Sequence, residues 1–83
     1  MGRGIFGNDH VNPSMYTQSL RNAAHVRRFS IRVADTRGWE IKIEDGARIL
    51  KHVVYTDWHR VERAKATFAA EAERLQDNGW IEM

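Results

Sequence analysis

Cysteine is absent from this 83-residue chain, which removes disulfide scaffolds, thiolate zinc sites and thiol nucleophiles and leaves a domain indifferent to redox conditions. Long apolar runs are missing too. Met1 to Gly7 lacks the continuous apolar stretch of a secretion signal, and no segment has the length to span a bilayer, so a cytoplasmic protein is expected. Charge of one sign is also lacking: 13 Lys and Arg face 11 Asp and Glu, a formal net charge of +2. The surface is therefore less basic at neutral pH than the high sequence pI suggests. No internal repeat is present, and no low-complexity tract beyond a glycine-bearing start.

What is present suits one small core. A chain of 83 residues with 42% apolar side chains can bury a thin two-layer interior and has little room for a large catalytic cleft. Its charges are unevenly spread: Arg21, Arg27, Arg28 and Arg32 stand together with His25 and no acid among them, whereas acids prevail from Glu71 onward.

Residues 1–12 hold three glycines and no apolar period, which predicts a flexible arm. Asn12-Pro13 has the form of an N-cap followed by proline at the first helical position. A short helix is therefore expected from Pro13 to about Asn22, with Tyr16, Leu20 and Ala23 on one side, and a linker to residue 25.

From residue 26 the pattern is β-β-β-α. Phe29, Ile31 and Val33 alternate with Arg28, Ser30 and Arg32, and Trp39, Ile41 and Ile43 alternate with Glu40, Lys42 and Glu44, the period of half-buried strands. Setting apolar against apolar pairs Val33 with Trp39, Ile31 with Ile41 and Phe29 with Ile43. The same register sets Arg32 opposite Glu40 and Arg28 opposite Glu44, charge pairs each contributing roughly 0.2–1 kcal/mol. Asp45-Gly46 signals a hairpin into a third strand, Ala47 to Tyr55. A two-residue turn there sets Ile41 against Leu50, Trp39 against His52 and Glu40 against Lys51, with Val54 on the apolar side.

Thr56-Asp57 then offers a helix cap, and Val61, Ala64, Phe68, Ala72 and Leu75 recur at helical steps. Asn78-Gly79-Trp80 ends that helix, with Gly79 suited to the left-handed conformation and Trp80 folding back on Leu75. The expected fold is α+β: a three-stranded antiparallel meander packed on one long C-terminal helix, forming a domain over residues 26–83.

The stretch Tyr55-Thr56-Asp57-Trp58-His59-Arg60-Val61-Glu62-Arg63-Ala64, followed by Phe68, Glu71, Leu75 and Gly79-Trp80, resembles the tail of a group of short bacterial proteins. That group has no established activity, so the resemblance implies boundaries and no function. In architecture alone, three antiparallel strands and a helix also resemble the sheet-type DNA readers of plants and phage integrases, an analogy of fold rather than of site.

Two binding surfaces follow. Tyr55, Trp58, His59 and Arg60 cluster at the strand-to-helix junction and include the residue types enriched in interface hot spots, which points to a protein partner. The free edges of a three-stranded sheet also allow a homodimer. The alternative is nucleic-acid binding by Arg28, Arg32, Lys42 and Lys51 on the outer sheet face, opposed by Glu40 and Glu44 in the middle of that face.

His10, His25, His52 and His59 show no recognised metal-ligand spacing, although His52, His59 and Asp57 could approach one another at the end of the third strand. No nucleophile or paired-carboxylate constellation stands out. A non-enzymatic binding module without cofactor, metal or membrane partner is the expectation, with a protein partner favoured over nucleic acid.

Overall fold

The computed structural model describes residues 14–34 and 37–83. The arm expected over residues 1–12 lies outside them, as do Asp35 and Thr36 of the first turn. The elements are β1 (Ser14–Asn22), β2 (His25–Val33), β3 (Trp39–Asp45), β4 (Arg48–Tyr55), α1 (Trp58–Asp77) and β5 (Ile81–Glu82). Among the described residues the strands form one antiparallel sheet in the order β4-β3-β2-β1-β5.

The α+β class and the long C-terminal helix agree with the sequence, but among the described residues the sheet has five strands rather than three. The helix expected from Pro13 to Asn22 is replaced by β1. Tyr16 and Leu20 lie four residues apart, a spacing that shares one face in a helix and also in a strand. Pairing decides between the two. Tyr16 lies opposite Ile31, Gln18 opposite Phe29 and Leu20 opposite Arg27, which leaves Leu20 fully buried while Met15, Thr17 and Arg21 are exposed. The added strand makes β2 central, so each side of it has a hydrogen-bonded neighbour.

Between β2 and β3 the register is the expected one in all five pairs, Val33–Trp39, Arg32–Glu40, Ile31–Ile41, Phe29–Ile43 and Arg28–Glu44. Val33, however, is 51% exposed, because it ends its strand beyond the buried cluster.

The register between β3 and β4 corrects the sequence reading. The turn is centred on Gly46-Ala47, with Asp45 opposite Arg48 and Glu44 opposite Ile49, and a bulge then makes Leu50 the extra residue. Beyond the bulge Ile43 faces Lys51, Ile41 faces Val53 and Trp39 faces Tyr55. A strand's side chains alternate with period two, so this odd shift exchanges its faces. His52 and Val54 move to the outer face opposite Lys42 and Glu40, while Lys51, Val53 and Tyr55 turn toward the helix.

Asp57 caps α1, its Oδ1 accepting a hydrogen bond from the His59 backbone N–H at 3.0 Å. At the other end the Gly79 N–H reaches the Gln76 carbonyl at 3.1 Å and the Trp80 N–H reaches that of Leu75 at 3.0 Å, the Schellman pair, with Gly79 at φ +97°. The reversed chain then enters β5, where Ile81 and Glu82 pair with Arg21 and Leu20 of β1. Val61, Phe68, Ala72 and Leu75 close the core over Leu20, Phe29, Ile31 and Ile41. Phe68 sits at the centre, its ring centroid 5.1 Å from that of Phe29 and 6.1 Å from that of Tyr16.

Candidate functional site

The helix is narrower than the sheet it covers, so a groove remains between α1 and edge strand β4. Arg60, Arg63 and Thr67 follow one another at three- and four-residue steps and share the helix flank that looks toward β4. The bulge brings Lys51 and Tyr55 to the same side. Together with His59 these side chains enclose an open groove of about 380 Å³ floored by Phe68. A second hollow of about 340 Å³, sharing Lys51, Thr67 and Phe68, continues it toward Leu50, Ile43 and Arg27.

The cations of this groove make no ion pair among the described residues. The ion pairs among the described residues are His25–Asp45, Arg27–Asp45, His52–Glu40 and Arg74–Glu71, and none of them involves Lys51, Arg60 or Arg63. Asp57, the acid in the groove's lining, uses its carboxylate on the helix cap. Arg60 lies over the Tyr55 ring, 5.8 Å from its centroid, which orients the guanidinium without neutralising it.

Of the four residues expected at the junction, Tyr55, His59 and Arg60 meet in this groove and Trp58 does not. Trp58 lies on the opposite helix flank, its ring 5.1 Å from that of Trp39, where it borders a hollow of about 70 Å³ beside Met15 and Tyr16. Although 42% exposed, it ties the start of the helix to the sheet.

The outer face carries three of the four cations proposed for nucleic acid. Arg28, Arg32 and Lys42 surround a shallow trough of about 380 Å³ floored by Thr17, Ser19 and Ser30, with Glu44 on its wall. Lys51 is absent from this face, because the β4 bulge turns it toward the helix. Arg28 donates through Nε to Ser19 Oγ at 3.3 Å. His52 Nε2 lies 2.7 Å from Glu40 Oε2, and this hydrogen bond, with help from Lys42 and Arg32, holds the Glu40 carboxyl below the usual carboxylate range. His52 and His59 thus occupy opposite faces of the sheet, which separates the groups the sequence placed near one another.

A further polar cluster ties down the far end of the sheet. Arg27 Nη2 donates to Asp45 Oδ2 at 3.1 Å, and this bond, followed by that of His25, lowers the Asp45 pKa. The same guanidinium lies 5.2 Å from the centroid of the Trp80 ring. Burial, and then the charge of Glu82, push the Tyr16 hydroxyl up from its ordinary value.

Of the residues lining the candidate groove, Arg63 was missed by the sequence reading and Lys51 was assigned to the outer face instead. Arg63 could have been found from its three-residue step after Arg60; Lys51 depends on a bulge that no local signal announces. Comparison of the chain with protein-family models, with curated proteins and with solved structures finds no match. Among the described residues, no helix is long and apolar enough to cross a membrane.

Proposed function

We propose that this protein is a non-enzymatic module that binds another protein along the groove between β4 and α1. Tyr55, His59 and Arg60 form its contact surface together with Lys51 and Arg63. The observation that carries the reading is the convergence of three cations, none of them in an ion pair among the described residues, on an open groove beside an aromatic ring. Arginine and tyrosine bury well in interfaces because each joins apolar area to a directional polar group. Trp58 acts indirectly, by fixing the helix start against Trp39.

The competing reading gives the outer trough to nucleic acid through Arg28, Arg32 and Lys42. Its support is the ring of cations over small hydroxyl side chains, and its weakness is the pair of acids within the same face.

Photocrosslinking separates the two. The full chain is expressed in its native host with a photoreactive phenylalanine at position 59 or at position 32. The protein reading expects a defined protein adduct from position 59 that is lost with Arg60→Glu, and no nucleic-acid adduct from position 32. Nucleic acid captured at position 32, with no protein captured at position 59, would transfer the function to the outer face. Trp58→Ala is a poor probe, because losing its contact with Trp39 disturbs the helix start as well.

A further inference from the structure

We infer that the partner is an extended segment in which acidic and apolar residues alternate, added to the sheet as a strand beside β4. The inference rests on the reading above and gives the partner its chemistry. Three observations carry it. First, the outer edge of the eight-residue strand β4 has no strand beside it among the described residues, and its outward backbone groups find no ladder partner among them. Secondly, the helix side of that edge is bordered by Lys51, Arg60 and Arg63. Thirdly, the outer side of the same strand exposes Ile49 at 57% and Val54 at 48%, opposite Glu44 and Glu40 of β3.

A strand laid against this edge sends successive side chains to opposite faces. Residues on the helix side meet cations, so carboxylates suit them. Residues on the outer side meet Ile49 and Val54 with His52 between them, so apolar side chains suit the positions beside the two aliphatics. The backbone supplies affinity through ladder hydrogen bonds and the two unlike faces supply specificity, the division of labour in strand addition. A second copy of this chain fits poorly, because pairing β4 with its own symmetry mate would set one cationic groove beside another.

The test is a fluorescence-anisotropy titration of the full chain at low salt. The probe is a labelled eight-residue peptide of alternating glutamate and valine, matched in length to β4. Controls are a peptide with the same residues in two blocks, two alternating peptides N-methylated at every second amide in opposite phases, an alternating lysine–valine peptide and a short DNA duplex.

Saturable binding of the glutamate–valine peptide is expected, weakened about tenfold or more by blocking the pattern, by N-methylation along the pairing edge, or by Lys51→Glu with Arg63→Glu in the protein. The unfolding midpoint of that double variant, whose changes lie on the surface, controls for folding. Equal binding of the block peptide or of both N-methylation phases would overturn strand addition. Duplex DNA bound in place of the peptide and released by the same double variant would give the groove to nucleic acid, and no peptide binding at all would end the inference. Protein crosslinked from position 59 despite a failed peptide titration would keep the proposed function and remove only this account of its partner.

Discussion

Two clusters of basic side chains occupy opposite sides of this sheet, and they differ in their neighbours more than in their number. On the outer face Arg28 and Arg32 lie opposite Glu44 and Glu40, and Lys42 stands between those two acids on their own strand, so each cation has a carboxylate near it within the face. In the groove, Lys51, Arg60 and Arg63 converge from a strand and a helix, and the acid beside them is engaged in a cap. A sheet register that pairs charges consumes the field it creates, whereas a strand and a helix flank brought together by packing have no such register. No ion pair among the described residues holds the cations on either side, and what sets the groove apart is that its three cations have no carboxylate opposite them across a strand.

Removing the groove's floor is the harshest way to break this comparison. Phe68→Ala takes a ring out of the centre of the core, and a loss of about 3–5 kcal/mol is expected from truncating a buried phenylalanine. For a domain this small that consumes much of the total stability. Urea denaturation should find the variant largely unfolded, on both faces at once; a midpoint near that of the parent protein would mean that the two sides are held independently of Phe68.

Gly38→Ala strikes the strand end that frames the junction. Gly38 has φ +104°, and an added Cβ would stand 2.3 Å from the Tyr55 carbonyl oxygen. Neither the conformation nor the backbone contact can relax cheaply, so a loss of about 2–3 kcal/mol is expected. Thermal unfolding measures it, and unchanged stability would show that β4 can move away from β3 at Tyr55 without loss.

Acid distinguishes the regions more gently. Glu40 and Asp45 titrate below the ordinary carboxylate range, because His52 and Arg27 respectively hold their charged forms. A depressed folded pKa means that the unfolded chain binds more protons at acidic pH. This stabilisation is complete above the ordinary carboxylate values of about 4, and it is lost as pH falls through the lowered ones. Denaturant midpoints measured from pH 6 to pH 2.5 should fall, and less steeply in Glu40→Gln with Asp45→Asn. Tyr16, whose pKa is raised, contributes in the opposite sense, its share being lost as pH climbs past about 10.

The smallest effect sharpens the comparison most. Glu44→Ala deletes one carboxylate opposite Arg28, and a stability change of roughly 0.5 kcal/mol is expected for an exposed cross-strand pair. If masking by acids is what distinguishes the outer face, this variant should gain weak, salt-sensitive affinity for duplex DNA in a gel-shift assay. No gain would place the difference between the faces in shape rather than charge.

The legible parts of the fold are those whose signals are local and repeated. The β2–β3 register was readable because the apolar pattern and the charge pattern select the same pairing, and α1 was readable because its stripe runs from Val61 to Leu75 between an Asp57 cap and a Gly79 stop. The β1–β2 hairpin gave no such signal. Its loop is Ala23-Ala24, with Ala23 at φ +57°, a conformation in which alanine is uncommon, so nothing marked a turn there. That Tyr55, His59 and Arg60 would lie together was legible because they are close in the chain. Trp58 was grouped with them by the same proximity and separated from them by the helical turn.

The sequence by itself determined the chemistry available: no thiols, a nearly balanced charge, one amphipathic helix and two strands whose alternation admits one pairing. Tertiary structure decided where that chemistry meets. The open edge of β2 drew residues 14–22 into a strand, because burying Tyr16 and Leu20 against the helix is open to them only once β2 lies beside them. A single extra residue at Leu50 turned Lys51 away from the acids of the outer face and toward Arg60 and Arg63. Strand faces alternate residue by residue, so a shift of that size, which leaves no mark on composition or periodicity, moves a cation from one side of the protein to the other.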